Sequence, residues 1–134
     1  MVELIDAKRF VDDRGQLDQI FDKLPFEVKR IYTVQNHKKG TVRAWHKNYG
    51  EWKGFYVIKG AVKICVNDGI ETKTFVLSEQ KPQLLIIEPE IWNGNMALTD
   101  DAIMLGITNT FIGEHMDERK PSEEFGNPWD IKNR

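Results

Sequence analysis

The stretch of sequence that decides the fold is residues 54–76, which read GFYVIKGAVKICVNDGIETKTFV. Apolar residues alternate with other residues from Val62 to Val66, which is the period of a half-buried β-strand. The residues before this segment are rich in aromatic and β-branched types, and Asn67-Asp68-Gly69 after it is a strong signal for a tight turn. We therefore predict a meander of three strands between about residues 53 and 76.

Further short strands are predicted on both sides of this meander, separated by glycine, proline and aspartate turn signals. They cover residues 30–36, 41–46, 84–88, 92–98 and 102–109. No stretch repeats apolar residues with a period of 3.6 over a dozen residues, so we expect few, short helices near the ends. Many short strands at this spacing are typical of a β-sandwich or barrel.

Composition limits the class of protein. The 134 residues fit one domain, residues 1–134, with an irregular tail over about 112–134 that packs Trp129 against the body. No apolar run is long enough to span a bilayer, and a net charge of −2 gives no strong field for nucleic acid. The single cysteine, Cys65, cannot form an internal disulfide, and the amino terminus lacks a signal peptide, so we expect a cytoplasmic protein without membrane or nucleic-acid partners.

The first motif with chemical content is residues 40–51, GTVRAWHKNYGE, which places His46 on a strand with Glu51 downstream. It resembles the first motif of the cupin fold, which in metal-dependent members supplies two histidines and a carboxylate, with a third histidine later. Here Asn48 stands at the second histidine position, the spacing to Glu51 is short, and residues 89–94 contain no histidine. Because a divalent ion needs several converging ligands, we expect no metal site.

A whole-chain resemblance narrows the family. Seven motifs carry it, in this order: Asp13-Arg14-Gly15, Lys29–Tyr32, Gln35-Asn36, Arg43–His46, Lys53, Pro89–Gly94 and Asn127–Asp130. Over roughly residues 8–131 the chain is similar to dTDP-4-dehydrorhamnose 3,5-epimerase and its relatives, which include sugar-nucleotide 3,4-ketoisomerases. The resemblance implies an all-β cupin-type double-stranded β-helix, or jelly roll, and a homodimer.

The resemblance also implies an activity. The expected substrate is a nucleotide-linked 4-keto-6-deoxy sugar, with dTDP as the nucleotide, used in polysaccharide or glycan assembly. The expected reaction is epimerisation at C3, C5 or both by proton abstraction beside the ketone, without a cofactor. Two alternatives stay open: a sugar-nucleotide 3,4-ketoisomerase, and a non-catalytic cupin that binds a nucleotide sugar or carbohydrate.

Residue roles follow from the matching motifs. His46 corresponds to the base, Lys53 to the group that stabilises the enolate oxygen, and Arg14 and Arg43 to the groups that hold the diphosphate. These roles agree with chemistry, since imidazole titrates near neutral pH, an ammonium stabilises new negative charge, and guanidinium groups bind phosphate oxygens bidentately. The further predicted substrate-binding residues are Asn48, Tyr32, Tyr56 and Asn93.

The chain departs from the epimerase pattern in three ways. The histidine that the family has after the Pro89-Glu90 turn is replaced in the segment Trp92-Asn93-Gly94-Asn95. Phe111 stands nearest to the position of the family's general-acid tyrosine, so another acid is needed, and the candidates are Tyr32, Tyr49 and Tyr56. The carboxylate that orients the base in longer members is not found, and the charged run 117–120 is predicted to be solvated surface.

Strand geometry adds one prediction. Arg43 and His46 are three residues apart and would point to opposite faces of a regular strand, so a shared pocket requires a bulge near Ala44-Trp45. Lys53 lies on the same face as Phe55 and should point inward.

Structural alternatives exist for several of these residues. His46 can be a hydrogen-bonded core histidine, Lys53 a solvated strand end, and Arg14 the partner of an aspartate in a surface turn. His37 and His115 are predicted to be loop histidines.

Overall fold

The computed structural model describes residues 1–114 and 116–134, and within them the chain is all-β with no helix. The expectation of short terminal helices is therefore wrong, and His115, predicted to lie in a loop, is outside the described residues. The strands are β1 Val2–Asp6, β2 Lys8–Asp12, β3 Gly15–Gln19, β4 Arg30–Asn36, β5 Val42–Tyr49, β6 Lys53–Lys59, β7 Ala61–Asn67, β8 Thr72–Ser78, β9 Gln83–Ile87, β10 Trp92–Ala97, β11 Ala102–Thr108 and β12 Met116–Arg119.

Two five-stranded antiparallel sheets form the body. The first sheet has the order β1-β9-β6-β11-β4 and the second has the order β12-β5-β10-β7-β8, while β2 and β3 form a separate hairpin. One apolar core joins the two sheets, because Phe55, Leu85 and Met104 of the first pack with Ile64 and Leu77 of the second. The predicted jelly roll is confirmed.

The predicted meander is wrong in one respect. Strands β7 and β8 pair through the tight turn, but β6 pairs with β9 and β11 in the opposite sheet. The chain crosses between the sheets at Gly60. Its φ of 75° is a conformation that glycine adopts readily and other residues rarely do, and an added Cβ would collide with Thr99 Oγ1. A period of two identifies a strand but does not say to which sheet it belongs.

The ends of the chain hold further strands. Strand β1 pairs with β9 at the edge of the first sheet, and β12 pairs with β5 at the edge of the second. The prediction of an irregular tail is therefore wrong for Met116–Arg119. Trp129 is buried, as predicted, and packs against Trp45. None of the described segments is a helix long and apolar enough to cross a membrane.

Candidate functional site

The predicted irregularity in β5 is present. In the pairing of β5 with β10, His46 lies opposite Asn93 and Arg43 lies opposite Asn95, which leaves two residues of β5 opposite Gly94 alone. This two-against-one arrangement is a β-bulge, which turns side chains on one side of it to the other face. Arg43 and His46 consequently face the same cavity.

The two bulged residues, Ala44 and Trp45, depend on the glycine opposite them. The peptide bond between them is cis, and Trp45 is completely buried. An added Cβ at Gly94 would collide with the Ala44 side chain and would lie 3.0 Å from the Ala44 Cα. Glycine at this position therefore allows the close approach of β5 and β10.

Both sheets contribute to the cavity, which has a volume of about 310 Å³. This is at the lower end of the usual range for ligand sites. The lining residues are Arg30, Tyr32, Val34, Arg43, His46, Asn48, Glu51, Lys53, Phe55, Asn93, Asn95, Met104, Asp117 and Arg119. Six of the eight residues predicted for the site are among them.

His46 is half-buried in the wall of the cavity. Burial, and then the positive charge of Lys53, lower its pKa from the ordinary 6.5, and the negative charge of Asp117 opposes this effect. Because the pKa lies below 6.5, the imidazole is neutral at pH 7. A neutral imidazole in a partly dry pocket can accept a proton from a ligand.

Lys53 begins β6 and points inward, as its sequence pattern predicts, with 9% of the residue exposed. Its Nζ lies 3.8 Å from Glu51 Oε1. Burial lowers the pKa of Lys53, whereas the nearby charges of Glu51 and Asp117 raise it. The two carboxylates therefore favour the charged ammonium and oppose the effect of burial.

Glu51 is the buried anion of the site and is only 3% exposed. Besides its ion pair with Lys53, it accepts hydrogen bonds from Arg30 Nη2 at 3.3 Å and from Thr110 Oγ1. Sequence reasoning considered Glu51 only as a metal ligand and missed this role. The signal that could have revealed the pairing is the spacing of two from Lys53, which puts both side chains on one face.

Tyr32 projects from β4 into the cavity, with its ring against Gly106, where an added Cβ would collide with it. Burial and the negative charge of Glu51 raise its pKa to about 12, although the charge of Arg30 opposes the shift. The phenol therefore keeps its proton at neutral pH and can donate it in a hydrogen bond.

Polar side chains line the rest of the cavity. Arg43 is exposed at the mouth, and its Nε donates to Asn36 Oδ1 at 2.7 Å. Asn93 Nδ2 donates to the carbonyl oxygen of His46 at 3.2 Å. Within residues 1–114 and 116–134, three buried polar atoms of lining residues have no hydrogen-bond partner: Arg30 Nε, Asn48 Oδ1 and Asn95 Oδ1.

Strand β12 adds two cavity residues that the sequence reasoning missed. Asp117 lies opposite Asn48 and Arg119 lies opposite His46 in the pairing with β5. Asp117 accepts a hydrogen bond from Arg119 Nε at 3.0 Å and a long one from Asn48 Nδ2 at 3.5 Å. The run is exposed along β12, as predicted, but Asp117 and Arg119 also line the cavity. Their alternation at positions i and i+2 was the available signal.

Two residues predicted to bind substrate lie outside this cavity. Arg14 occupies the turn between β2 and β3, where its side chain is 86% exposed and paired with Asp12. The Tyr56 hydroxyl donates to Asp18 Oδ2 at 3.2 Å, away from the cavity. Phe111, which stands near the position of the expected acid, is also outside and is 55% exposed.

Tyr49, one of the alternative acids, does not line the cavity either. Its hydroxyl donates to a carboxylate oxygen of Glu118 on the outer side of β12. Of the three tyrosines considered as proton donors, Tyr32 is therefore the one that lines the cavity.

The charge of the cavity differs from that of the whole protein. Four basic side chains line it, and the carboxylates among its lining residues are Glu51 and Asp117; the basic residues are Arg30, Arg43, Lys53 and Arg119. The chain as a whole carries a formal charge of −2. A net positive, partly closed pocket favours an anionic ligand such as a phosphate. In the described part of the chain, no group of three or more histidine, cysteine or acidic side chains could hold a metal ion.

The fold and this cavity define a cupin-type jelly roll with a cationic pocket between its sheets. The chain belongs to the family described as FdtA: WxcM-like, C-terminal, whose model matches residues 1–119. The predicted resemblance to the sugar-nucleotide epimerases and ketoisomerases is confirmed by the following proteins.

One relative and two solved structures illustrate the similarity. The chain is 29% identical over 133 residues to the "Probable low-salt glycan biosynthesis epimerase Agl13" of Haloferax volcanii, covering 89% of this chain and 85% of that one. It is 26% identical to QdtA, a sugar 3,4-ketoisomerase from Thermoanaerobacterium thermosaccharolyticum in complex with TDP, with a TM-score of 0.76 and 86% of each chain covered. The dTDP-4-dehydrorhamnose 3,5-epimerase of Bacillus anthracis shares the fold with a TM-score of 0.86 at 18% identity, covering 98% of this chain and 86% of that one.

Proposed function

We propose that the chain is a sugar-nucleotide epimerase that acts on a nucleotide-linked 4-keto-6-deoxy sugar and inverts C3, C5 or both. The observation that carries the proposal is the placement of His46 and Lys53 in one cavity, where burial lowers the pKa of the imidazole and the charge of Glu51 favours the ammonium form of Lys53. Relatives named as epimerases and ketoisomerases of such sugars support the substrate class.

The chemistry consists of two proton transfers. His46 takes a proton from the carbon beside the ketone, and the electron pair of the broken C–H bond moves onto the carbonyl oxygen to form an enolate. Lys53 stabilises the oxygen charge, which develops only after the proton leaves. Return of a proton to the opposite face of the same carbon inverts its configuration and restores the ketone. No electrons are gained or lost by the sugar.

Cationic side chains account for binding of the nucleotide. Arg43 lies at the mouth with its guanidinium group exposed, which suits a diphosphate that enters last and stays near solvent. Asn48 and Asn95 each offer an unpaired acceptor oxygen in the described structure, which suits hydroxyl groups of the sugar.

The proposal extends to a homodimer. The β2–β3 hairpin exposes Phe10 and Leu17, which pair directly across the strands and are 59% and 61% exposed. An isolated two-stranded sheet is marginally stable in water, so packing against a second copy would both bury these two apolar side chains and support the hairpin. In such a dimer, we propose that Arg14, which lies in the turn of this hairpin, contacts the diphosphate bound in the cavity of the other copy. Phe10→Asp should then give a monomer in sedimentation experiments.

The proposed compartment is the reducing cytosol. Cys65 is a free, buried thiol, which fits a protein that needs no disulfide for stability.

A 3,4-ketoisomerase is the second candidate, and Tyr32 is the observation that favours it. In this reaction His46 removes the proton from C3, the resulting enediolate takes up a proton at C4, and the C3 hydroxyl loses its proton, so the ketone moves from C4 to C3. A phenol in the cavity can relay a proton between the two oxygens. Tyr32 is protonated at neutral pH and lines the cavity.

The test is proton exchange in deuterated water with TDP-4-keto-6-deoxyglucose. Deuterium at C3, at C5 or at both, with inverted configuration, supports epimerisation, whereas a ketone at C3 supports the isomerase. Substrate that binds without exchange and without conversion identifies a binding module and overturns both enzymatic proposals.

Matched variants assign the roles. His46→Asn should abolish exchange, while His37→Asn, with a side chain that is 90% exposed, should leave it unchanged. Lys53→Ala should slow exchange by about 10²-fold, as the loss of an oxyanion-stabilising group does. Normal exchange in His46→Asn removes His46 from the mechanism, and an effect of Lys53→Ala on affinity alone reduces Lys53 to a binding role.

A further inference from the structure

The outer side of the β5 bulge is covered by the carboxyl-terminal segment, residues 120–130. Trp45 N–H donates to the carbonyl oxygen of Lys120 at 2.9 Å, and Lys120 N–H donates back to the carbonyl oxygen of Trp45 at 3.1 Å. The indole N–H groups of Trp45 and Trp129 both donate to the carbonyl oxygen of Ser122, at 3.1 and 2.9 Å. The bulged residue Trp45 is therefore held by backbone and side-chain contacts from one segment.

Trp129 also contacts the strand opposite the bulge. Its ring lies 5.2 Å from the Trp45 ring, and its Cη2 would be 3.0 Å from a Cβ built on Gly94. Trp129 is 8% exposed. The indole thus packs against both strands at the point where two residues of β5 face one residue of β10.

Lys63 anchors the carboxyl-terminal segment through hydrogen bonds to its backbone. It lies on β7, is 8% exposed, and does not line the cavity. Its Nζ is 3.1 Å from the carbonyl oxygens of Pro128 and Asp130, and 3.5 Å from that of Trp129. A buried ammonium that donates to several carbonyl oxygens is a directional anchor, since each bond restrains the backbone that carries Trp129.

We propose that Trp129, anchored by Lys63, is a positioning residue that holds the β5 bulge and thereby keeps Arg43 and His46 on the cavity side. The inference deepens the proposed function and rests on it, because the bulge matters for catalysis only if His46 is the base. The segment that carries Trp129 lies beyond residues 1–119, which the family model matches.

The size of the effect follows from strand geometry. Without the bulge, a period of two would turn Arg43 and His46 to opposite faces of β5. Even a partial relaxation moves the base by an ångström or so, and a misplacement of about 1 Å costs on the order of 10²-fold in rate. Displacement of His46 should lower kcat, and displacement of Arg43, which is proposed to hold the diphosphate, should raise KM.

The first experiment compares Trp129→Ala and Trp129→Phe with Leu77→Ala, a buried truncation in the core cluster between the sheets. Trp129→Ala should lower kcat by about 10²-fold. Trp129→Phe should lower it less, because an aromatic ring still packs against Trp45, although the indole N–H and the Cη2 atom next to Gly94 are lost. Leu77→Ala should lower the melting temperature without this loss of kcat. Equal losses in Trp129→Ala and Leu77→Ala would show general destabilisation and overturn the proposal.

The second readout needs no substrate. NMR titration of the His46 imidazole reports its surroundings, which include Lys53 of β6, Asp117 and Arg119 of β12, and Arg43 of its own strand. Because burial is the largest cause of the lowered pKa, Trp129→Ala should raise the pKa of His46 toward 6.5, and Leu77→Ala should not.

This readout separates the two proposals. If the wild type converts no sugar but the titration shifts in Trp129→Ala alone, the positioning role stands and the proposed function fails. Should Trp129→Ala not fold, Lys63→Met keeps the aliphatic stem and removes the anchor, and it should change kcat and the titration in the same direction. A folded Lys63→Met variant with wild-type kcat and an unshifted His46 overturns the proposal.

Discussion

Replacing Glu51 with glutamine tests the electrostatics of the cavity with almost no change of shape. The carboxylate is 3% exposed and faces the Lys53 ammonium at 3.8 Å and the Arg30 guanidinium at 3.3 Å. The amide keeps the volume and one acceptor oxygen but removes the negative charge. Two cations of low exposure then face each other without the anion that separates them.

The expected loss of stability is large. Removing one partner of a buried ion pair costs about 3–5 kcal/mol, and we take the lower value because a quarter of the Arg30 side chain is exposed. For a domain of this size, about 4 °C of melting temperature corresponds to 1 kcal/mol, so Glu51→Gln should melt about 12 °C below the wild type. The pKa of Lys53, already lowered by burial, should fall further because the charge of Glu51 no longer raises it.

The assay is thermal unfolding, combined with the pH dependence of kcat. A matched control is Glu71→Gln, because the Glu71–Lys73 pair has the same spacing and a similar separation of 3.7 Å but both side chains are 61% exposed. The control should melt with the wild type, since exposed pairs contribute little. The alkaline limb of kcat should move to lower pH in Glu51→Gln, where Lys53 loses its proton earlier. Equal melting of Glu51→Gln and Glu71→Gln would refute the reasoning.

Three further outcomes are expected. The acid limb of kcat/KM should lie below pH 6.5, because burial lowers the pKa of His46 and the base must be neutral; a limb above 6.5 would contradict this. Gly94→Ala should destabilise the fold by about 1–3 kcal/mol through the collision with Ala44, and thermal unfolding should show a smaller loss in Gly54→Ala, whose nearest new contact is 3.4 Å. If the protein is a ketoisomerase, Tyr32→Phe should stop migration of the ketone but leave deuterium uptake at C3 intact, and NMR distinguishes the two because it locates both the carbonyl carbon and the deuterium.

The local features of the fold were accessible from the sequence. Alternation at Val62–Val66, together with β-branched and aromatic composition and turn signals elsewhere, located β4 through β11 to within a few positions. The bulge in β5 was also predicted, since two side chains three positions apart can share a pocket only if the strand is irregular between them. Both predictions depend on short-range geometry, which the order of residues determines directly.

The features that were not predicted depend on long-range pairing. Nothing in residues 53–59 indicates that β6 joins β9 and β11 instead of its neighbour β7, because the sheet assignment depends on the turn at Gly60 and on competing partners. Strand β12 is polar and exposed along its length, so its composition resembles a surface loop. Its pairing with β5 is what brings Asp117 into the cavity.

Burying the carboxylate of Glu51 beside Lys53 and Arg30 costs free energy of folding, and the proposed function explains why these charges are present. A buried ion pair stabilises a fold poorly compared with apolar packing of the same volume, so stability alone does not explain Glu51. The proposed chemistry does, because the enolate needs an ammonium in a place with little water, and such a place removes the proton from a lysine. Glu51 opposes that loss at Lys53, and after burial its negative charge is the second cause that raises the pKa of Tyr32. One anion thus favours the protonated form of the lysine that epimerisation requires and of the tyrosine that ketone migration would use.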